Sequence, residues 1–370
     1  MKRNILPYML AAVLLLPACS KDDNNTIIDE NGDELMEVSL NATAPTINTT
    51  TKAVVDQDNW TTAGHNFGVL GLANSFNWDD TSVAADKDIR LIDNAQSTIA
   101  AILPNGYSIT LDKPYAYPAG YITGLYKNYS FYSYYPYATV SYTTTTATCT
   151  YTLDGTQDIL WGIAVAEDKT VGDVVYKGYN ARYLRKGGEE PNINFNHLLT
   201  RFTFKIIAGN DPENNIPPTE LEVRKIIFNE IPTNATLTIA QNNATGGELY
   251  CDGSDDIILK NADGTDATAT TPGTDTGVSM GESIMVPSNT TTLYKVSITI
   301  GLNETGKTNH PALANEEYTS QFSIEKSDKS AFVKGDSHEV TLTVNGMRNI
   351  NISATLTHWN TGEDLGIEIN

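Results

Sequence analysis

The chain is poor in the residues that most catalytic and metal chemistry requires. It has 3 cysteines and 5 histidines among 370 residues. Neither Cys149 nor Cys251 has another Cys or a His at metal-site spacing, so no zinc framework is readable. The two thiols either form one disulfide in an oxidising compartment or stay separate. Basic residues are also scarce: 24 Lys and Arg stand against 45 Asp and Glu, for a net charge of -21. That excludes nucleic acid as a partner, because its phosphates need Lys and Arg, and it keeps the body off anionic membrane surfaces. Beyond Cys19 no apolar run approaches the roughly 20 residues that span a bilayer. Helical periodicity is weak everywhere, and the best helical stretch, residues 81–85, is short. No Ser or Cys nucleophile motif accompanies His197, and no carboxylate pair can be named without a separation. Nothing therefore points to an enzyme or calls for a cofactor.

What is present begins at the N-terminus. Lys2 and Arg3 precede an apolar segment over residues 5–16, and small residues follow it. This is the charged, apolar and small-residue order of a secretory signal. Leu16-Pro17-Ala18-Cys19 resembles a bacterial lipobox, in which the chain is cut between Ala18 and Cys19 and the Cys is acylated. Residues 1–18 are then a signal peptide, and lipid on Cys19 holds the chain to a membrane, since two or more acyl chains anchor stably. The alternative is an ordinary signal with an incidental Cys. Residues 19–36 are acidic and poor in apolar content, which predicts a lipidated, disordered tether. Lys21-Asp22-Asp23 also resembles the surface-export signal of Bacteroidetes lipoproteins.

From residue 37 onward the chain reads as strand and turn. Residues 37–43, 67–72, 108–111, 130–135, 147–153 and 158–162 are short β-branched and aromatic runs between Gly, Pro, Asn and Asp clusters. Such spacing reads as a β-sandwich or barrel. The polar break Arg185-Lys186-Gly187-Gly188-Glu189-Glu190-Pro191 separates a first domain, 37–191, from a second, 192–370. The second strand series covers residues 194–207, 221–229, 235–239, 293–300, 316–324, 338–344 and 350–357. Residues 261–277 have almost no bulky apolar side chain and read as a surface loop.

Several stretches in this order resemble the fimbrillin family of Bacteroidetes, the subunits of type V pili. Trp60 with Gly64 and Phe67-Gly68-Val69 resembles its opening strand. Phe131-Tyr132-Ser133-Tyr134-Tyr135-Pro136-Tyr137 resembles its aromatic strand. Asp158-Ile159-Leu160-Trp161-Gly162-Ile163-Ala164 resembles a third, with Gly162 where the family more often has Ala. Phe195-Asn196-His197-Leu198-Leu199-Thr200-Arg201-Phe202 is the sharpest piece. Ile284-Met285-Val286-Pro287 and the run from Ile352 to Trp359 complete the series.

The resemblance implies an all-β chain of two tandem transthyretin-like sandwiches. It implies export as an outer-membrane lipoprotein, and removal of the lipid with the first strand by a trypsin-like protease. A strand from another subunit then fills the vacated groove. The partners so implied are other pilus subunits by β-strand addition, the outer membrane through Cys19, and a host or bacterial surface ligand for an adhesive member. Arg is the family's usual cut residue, yet none lies between Arg3 and Arg90. Lys52, before Ala53, is the only basic residue between Lys21 and Lys87, so it is the candidate processing site or an ordinary surface lysine. The implied donor is the C-terminal tail, where Leu365, Ile367 and Ile369 alternate with Gly366, Glu368 and Asn370. The same alternation suits the chain's own last strand.

Other residues have a functional and a plain reading. His197 sits with Phe195 and Leu199 on one strand face, which suits a structural histidine better than a catalytic one. Asp252-Gly253-Ser254-Asp255-Asp256 lacks the Gly and distant Glu of a calcium loop and reads as a turn, with weak cation binding as the alternative. Tyr126, Tyr129, Tyr132, Tyr134, Tyr135 and Tyr137 either fill both faces of a strand or form a sugar-stacking platform. The platform would make the chain a surface-exposed glycan-binding lipoprotein.

Overall fold

The computed structural model describes residues 35–45, 61, 64–74, 77–79, 89–102, 106–118, 127–210, 215–242, 244–286, 291–326, 328–348, 350–358 and 366–368. The first half supplies β1 (Asn41–Thr43), β2 (Phe67–Ala73), β3 (Arg90–Ile102), β4 (Gly106–Thr110), β5 (Tyr129–Tyr135), β6 (Ser141–Tyr142), β7 (Thr146–Thr152), β8 (Leu160–Ala164), β9 (Lys169–Val171), β10 (Val174–Tyr176), the short helix α1 (Ala181–Arg185) and β11 (Asn192–His197). The second half supplies β12 (Thr200–Ala208), β13 (Leu221–Ile231), β14 (Asn234–Gln241), β15 (Glu248–Asp252), β16 (Asp255–Ile258), β17 (Val278–Met285), β18 (Leu293–Leu302), helix α2 (Glu304–Asn309), β19 (Glu317–Glu325), β20 (Asp336–Val344), β21 (Ile350–His358) and β22 (Gly366–Glu368). The all-β class expected from the sequence holds. The helical stretch at 81–85 lies outside the described residues.

The first unit is a closed ring in the order β1-β11-β8-β5-β2-β3-β4. Its sandwich is sealed at the rim because β1 bonds on both sides. Alternation along each strand sends one set of side chains inward. Phe67, Val69, Phe131, Leu160, Ile193 and Phe195 fill the interior. The opposite faces of β2, β5 and β8 are apolar too: Leu70, Leu72, Tyr132, Tyr134, Trp161 and Ile163 point away from it. That two-sided pattern is why β5, Tyr-Ser-Phe-Tyr-Ser-Tyr-Tyr, is buried along almost its whole length.

The outward set is covered by a sheet that belongs to neither half alone. Strands β6 and β7 of the first half continue into β14 and β15 of the second, in the order β15-β14-β7-β6. Ala147, Cys149, Leu237 and Ile239 pack onto the ring's outer face. Trp161 Nε1 donates to the Ile239 carbonyl at 2.8 Å. Gly247, at φ +77°, lies so close to this indole that an added Cβ would come within 2.5 Å of its ring.

The second unit is a sandwich of β17-β12-β20-β21-β22 against β16-β13-β18-β19. Its core packs Phe202, Phe228, Tyr294 and Phe332 together, with Phe202 and Tyr294 edge to face at 5.1 Å between ring centroids and Tyr294 and Phe332 edge to face at 4.8 Å. The run 194–207, read as one strand, is two. Strand β11 belongs to the ring and β12 to the sandwich, with the buried Leu198 and Leu199 between them. The chain passes from the ring to the sandwich sheet there, beyond the six residues of β11. The glycine- and threonine-rich stretch 261–277 carries no strand of its own.

Candidate functional site

The closing stave of the ring is the feature that stands out. Strand β1 runs parallel to β11, with Asn41 opposite Asn192 and Thr43 opposite Asn194. It runs antiparallel to β4, with Asn41 opposite Ser108 and Ala42 opposite Tyr107. The pairing continues upstream. Val38 N donates to Tyr115 O at 2.8 Å, Tyr117 N to Met36 O at 2.9 Å, and Ile109 N to Leu40 O at 2.9 Å. On the β11 side, Asn41 N donates to Pro191 O at 2.9 Å.

The side chains follow a strand period of two. Val38, Leu40 and Ala42 are buried, and Met36 and Ala44 pack against the same core. Glu37, Ser39 and Thr43 are exposed. Burying a Val or Leu stabilises by about 1.5–3 kcal/mol, so Val38 and Leu40 supply much of the hold on this stave. Without residues 36–44 the ring has two open edges, β4 and β11, and an apolar trough between them. An open edge is a template for another strand.

The sequence-predicted sites fall as follows. Ala18, Cys19, Lys52 and Ala53 lie outside the described residues, as do Leu365 and Ile369. Ile367 lies in β22, opposite Ala354 of β21, as the edge of the second unit's own sheet. His197 is buried at the end of β11, and its Nδ1 lies 3.0 Å from Asp158 Oδ1. This pair joins the ring to the 154–158 turn. Three of the Tyr cluster are internal, with Tyr129, Tyr132 and Tyr134 at most 1% exposed, whereas Tyr135 is half-buried and Tyr137 is 39% exposed. Tyr134 Oη donates within a polar pocket, 2.6 Å from Asn94 Oδ1 and 2.7 Å from Ala138 O. Tyr126 lies outside the described residues. Among the described residues no group of His, Cys, Asp and Glu could hold a metal ion, and no helix is long and apolar enough to cross a membrane.

Both body cysteines are free thiols. Cys149 is on β7 and Cys251 on β15, and β14 runs between them. Two strand spacings are about 9.6 Å, beyond the roughly 7 Å that a disulfide tolerates between Cα atoms. Burial pushes the Cys149 thiol up to about 11, and burial with the nearby Asp252 carboxylate pushes Cys251 up to about 12.

Sequence reasoning did not single out the buried ion pair of Arg201 and Glu282, with Arg201 Nε 2.7 Å from Glu282 Oε2. It joins β12 to β17. Arg201 lies between the apolar Leu199 and Phe202 in the sequence, and that placement was the available signal. Gly162 also has a local cause. An added Cβ would lie 2.6 Å from the Asn194 carbonyl oxygen of β11, so the ring holds β8 and β11 too close for Ala.

The fold and this site define a two-unit β-protein in which the stave at 36–44 fills an apolar trough between two backbone edges. The chain belongs to the fimbrillin-like family, which matches residues 51–359. The matched region begins beyond β1 and ends before the tail that carries Leu365, Ile367 and Ile369. No curated protein matches the chain. Among solved structures, a candidate cell adhesion protein from Bacteroides uniformis is 17% identical over 90% of this chain and 100% of its own, with a TM-score of 0.50. A fimbrial protein from Bacteroides vulgatus is 15% identical over 88% and 99%, with a TM-score of 0.44. The fimbrial anchor protein Mfa2 from Porphyromonas gingivalis is 9% identical over 90% and 100%, with a TM-score of 0.39.

Proposed function

We propose that this chain is a subunit of a cell-surface fimbrium, exported as a lipoprotein and assembled by exchange of its first strand. The observation that carries the proposal is the stave at residues 36–44. It is the piece that closes the ring, it lies near the chain's start, and a single cut after Lys52 detaches all of it. In this reading the signal is removed between Ala18 and Cys19, lipid on Cys19 holds the precursor to the outer membrane, and residues 19–36 are the tether. Cleavage between Lys52 and Ala53 releases lipid, tether and stave together. A strand from another subunit then lies between β4 and β11, main-chain bonds give affinity, and alternate apolar side chains set the register.

The donor in this reading is the C-terminal tail, with Leu365, Ile367 and Ile369 taking the inward positions. The tail's pairing with β21 spans three residue pairs, so peeling it away disturbs little of the second unit. The subunit serves as stalk, tip or anchor, and a host or bacterial surface is its adhesive partner. The burial of Tyr129, Tyr132 and Tyr134 favours this reading over a glycan-binding surface lipoprotein.

Intact mass and N-terminal sequencing of protein taken from the cell surface test the proposal. A free N-terminus at Ala53 is the expected result. An acylated Cys19 on every molecule would overturn strand exchange, leaving an uncut anchor or a stand-alone lipoprotein.

A further inference from the structure

We infer that the hairpin β9–β10 is the docking surface for the neighbouring subunit whose strand fills the β1 slot; this rests on the strand-exchange reading above. Val165, Val171, Val174 and Val175 are 42–48% exposed. They are four of the seven large apolar side chains at least 42% exposed among the described residues, gathered into eleven positions. The hairpin is short and tight: Val171 faces Val174 across the turn at Gly172, and Tyr176 faces Lys169. Its root is firm, with Tyr176 buried and Arg182 stacked over its ring at 4.8 Å. Val171 and Val174 are cross-strand partners on one face of the hairpin and Val175 projects from the other, so the tip offers apolar surface on both sides, and exposed apolar clusters mark contact surfaces.

Strand direction tells which partner meets it. Strand β8 runs antiparallel to β11 and ends where β11 starts, with Ile163 opposite Asn194. Strand β1 runs parallel to β11 and starts at that same end, with Asn41 opposite Asn192. The hairpin leaves the end of β8 and returns through Tyr179, which bridges Tyr129 at the start of β5. The hairpin and the entry of β1 therefore share one pole of the ring. The second unit is at the other pole, where β11 ends and Leu198 and Leu199 lead into β12.

Strand β1 lies parallel to β11 and antiparallel to β4, and in this inference the replacement strand takes the same direction. A donor that is a C-terminal tail has its body before it in the chain. That body must emerge at the pole where β1 begins, beside the four valines. Docking there covers them and fixes the angle between successive subunits.

The test is photo-cross-linking in the full chain on the cell surface, with p-benzoylphenylalanine replacing Tyr107 in one variant and Val174 in another. Tyr107 lies opposite Ala42 and reports what fills the slot; position 174 reports what covers the hairpin. Cross-links from both positions to a neighbouring subunit are expected. A neighbour captured at 107 with none at 174 overturns this inference and leaves strand exchange standing. No intermolecular capture at 107 overturns both, whatever position 174 shows. The double variant V174D/V175D places two charges in the contact. It should lower the yield of polymer about tenfold or more, since burying an unpaired charge costs well over the 1.4 kcal/mol that equals a factor of ten. The hairpin is exposed in the free chain, so Tm should be unchanged; unchanged polymer yield would also overturn the inference.

Discussion

The first unit is closed by a strand of 3 residues near the start of the chain. The second is built from central strands of 9 to 11 residues, β12, β13, β18 and β20. Length sets how much each strand holds. Strand β13 runs alongside β18 over most of its length and buries Leu221, Val223, Ile226, Phe228 and Ile231. The stave at 36–44 buries three apolar side chains and is joined to the ring by a chain that carries the candidate cut site. The central strands of the second unit are held along their whole length, whereas the stave is a short piece at the rim of the first, which is the feature the strand-exchange proposal uses. Between them the mixed sheet β15-β14-β7-β6 couples the ring to the sandwich, so loss of the stave leaves the ring still backed by a second layer.

The largest predicted effect falls in the second unit. Arg201→Met leaves the Glu282 carboxylate buried without its guanidinium, a loss of about 3–5 kcal/mol, read as a lower midpoint in urea unfolding. A loss below 1 kcal/mol would mean that the pair is not what holds β12 to β17. Leu40→Ala sharpens the contrast. In the uncut chain it should cost about 2–5 kcal/mol as a core truncation, while the same chain cut after Lys52 should unfold at the same midpoint as cut wild type. An effect that survives cutting would show that the stave stays bound. Gly162→Ala comes next, at about 1–3 kcal/mol, because the new methyl meets the β11 backbone. Trp161→Phe removes the bond to Ile239 O and should cost about 0.5–1.5 kcal/mol, loosening the shared sheet from the ring without opening either unit. Thermal melts distinguish the last two by size.

The smallest effect is on pH dependence. Both thiols have folded-state pKa values raised above the ordinary value near 9, to about 11 for Cys149 and about 12 for Cys251. Their contribution to stability is complete below pH 9 and declines as pH rises toward 11 and 12, because the unfolded chain ionises first. Replacing both with Ala should flatten the first part of the alkaline fall in Tm. An unchanged profile would assign that fall to other groups, the buried tyrosines first.

Much of this was legible in the chain. The strand runs, the loop at 261–277, the inward alternation at residues 37–43 and the buried tyrosines followed from period and residue type. The family resemblance was legible separately, in ordered short motifs. The unread parts depend on contacts between distant residues. Residues 147–153 look like any other first-half strand, and nothing local says that Thr148 lies opposite Thr238. Cys149 and Cys251 had two open fates until β14 was found between them. Leu198 and Leu199 read as the middle of one strand, since a change of sheet leaves no mark when both sides of the turn are apolar.

The sequence by itself determined that the protein is all-β and acidic, because those follow from composition and from the two-residue period. It also determined that residues 37–43 would have one apolar face. Only the tertiary structure decided that this face closes a ring between β4 and β11, that the two halves share a sheet, and that four valines stand exposed at the pole where the closing strand begins. Strand pairing is set by which edges meet in space, and an edge carries its hydrogen-bonding groups on the backbone, which every residue but proline shares.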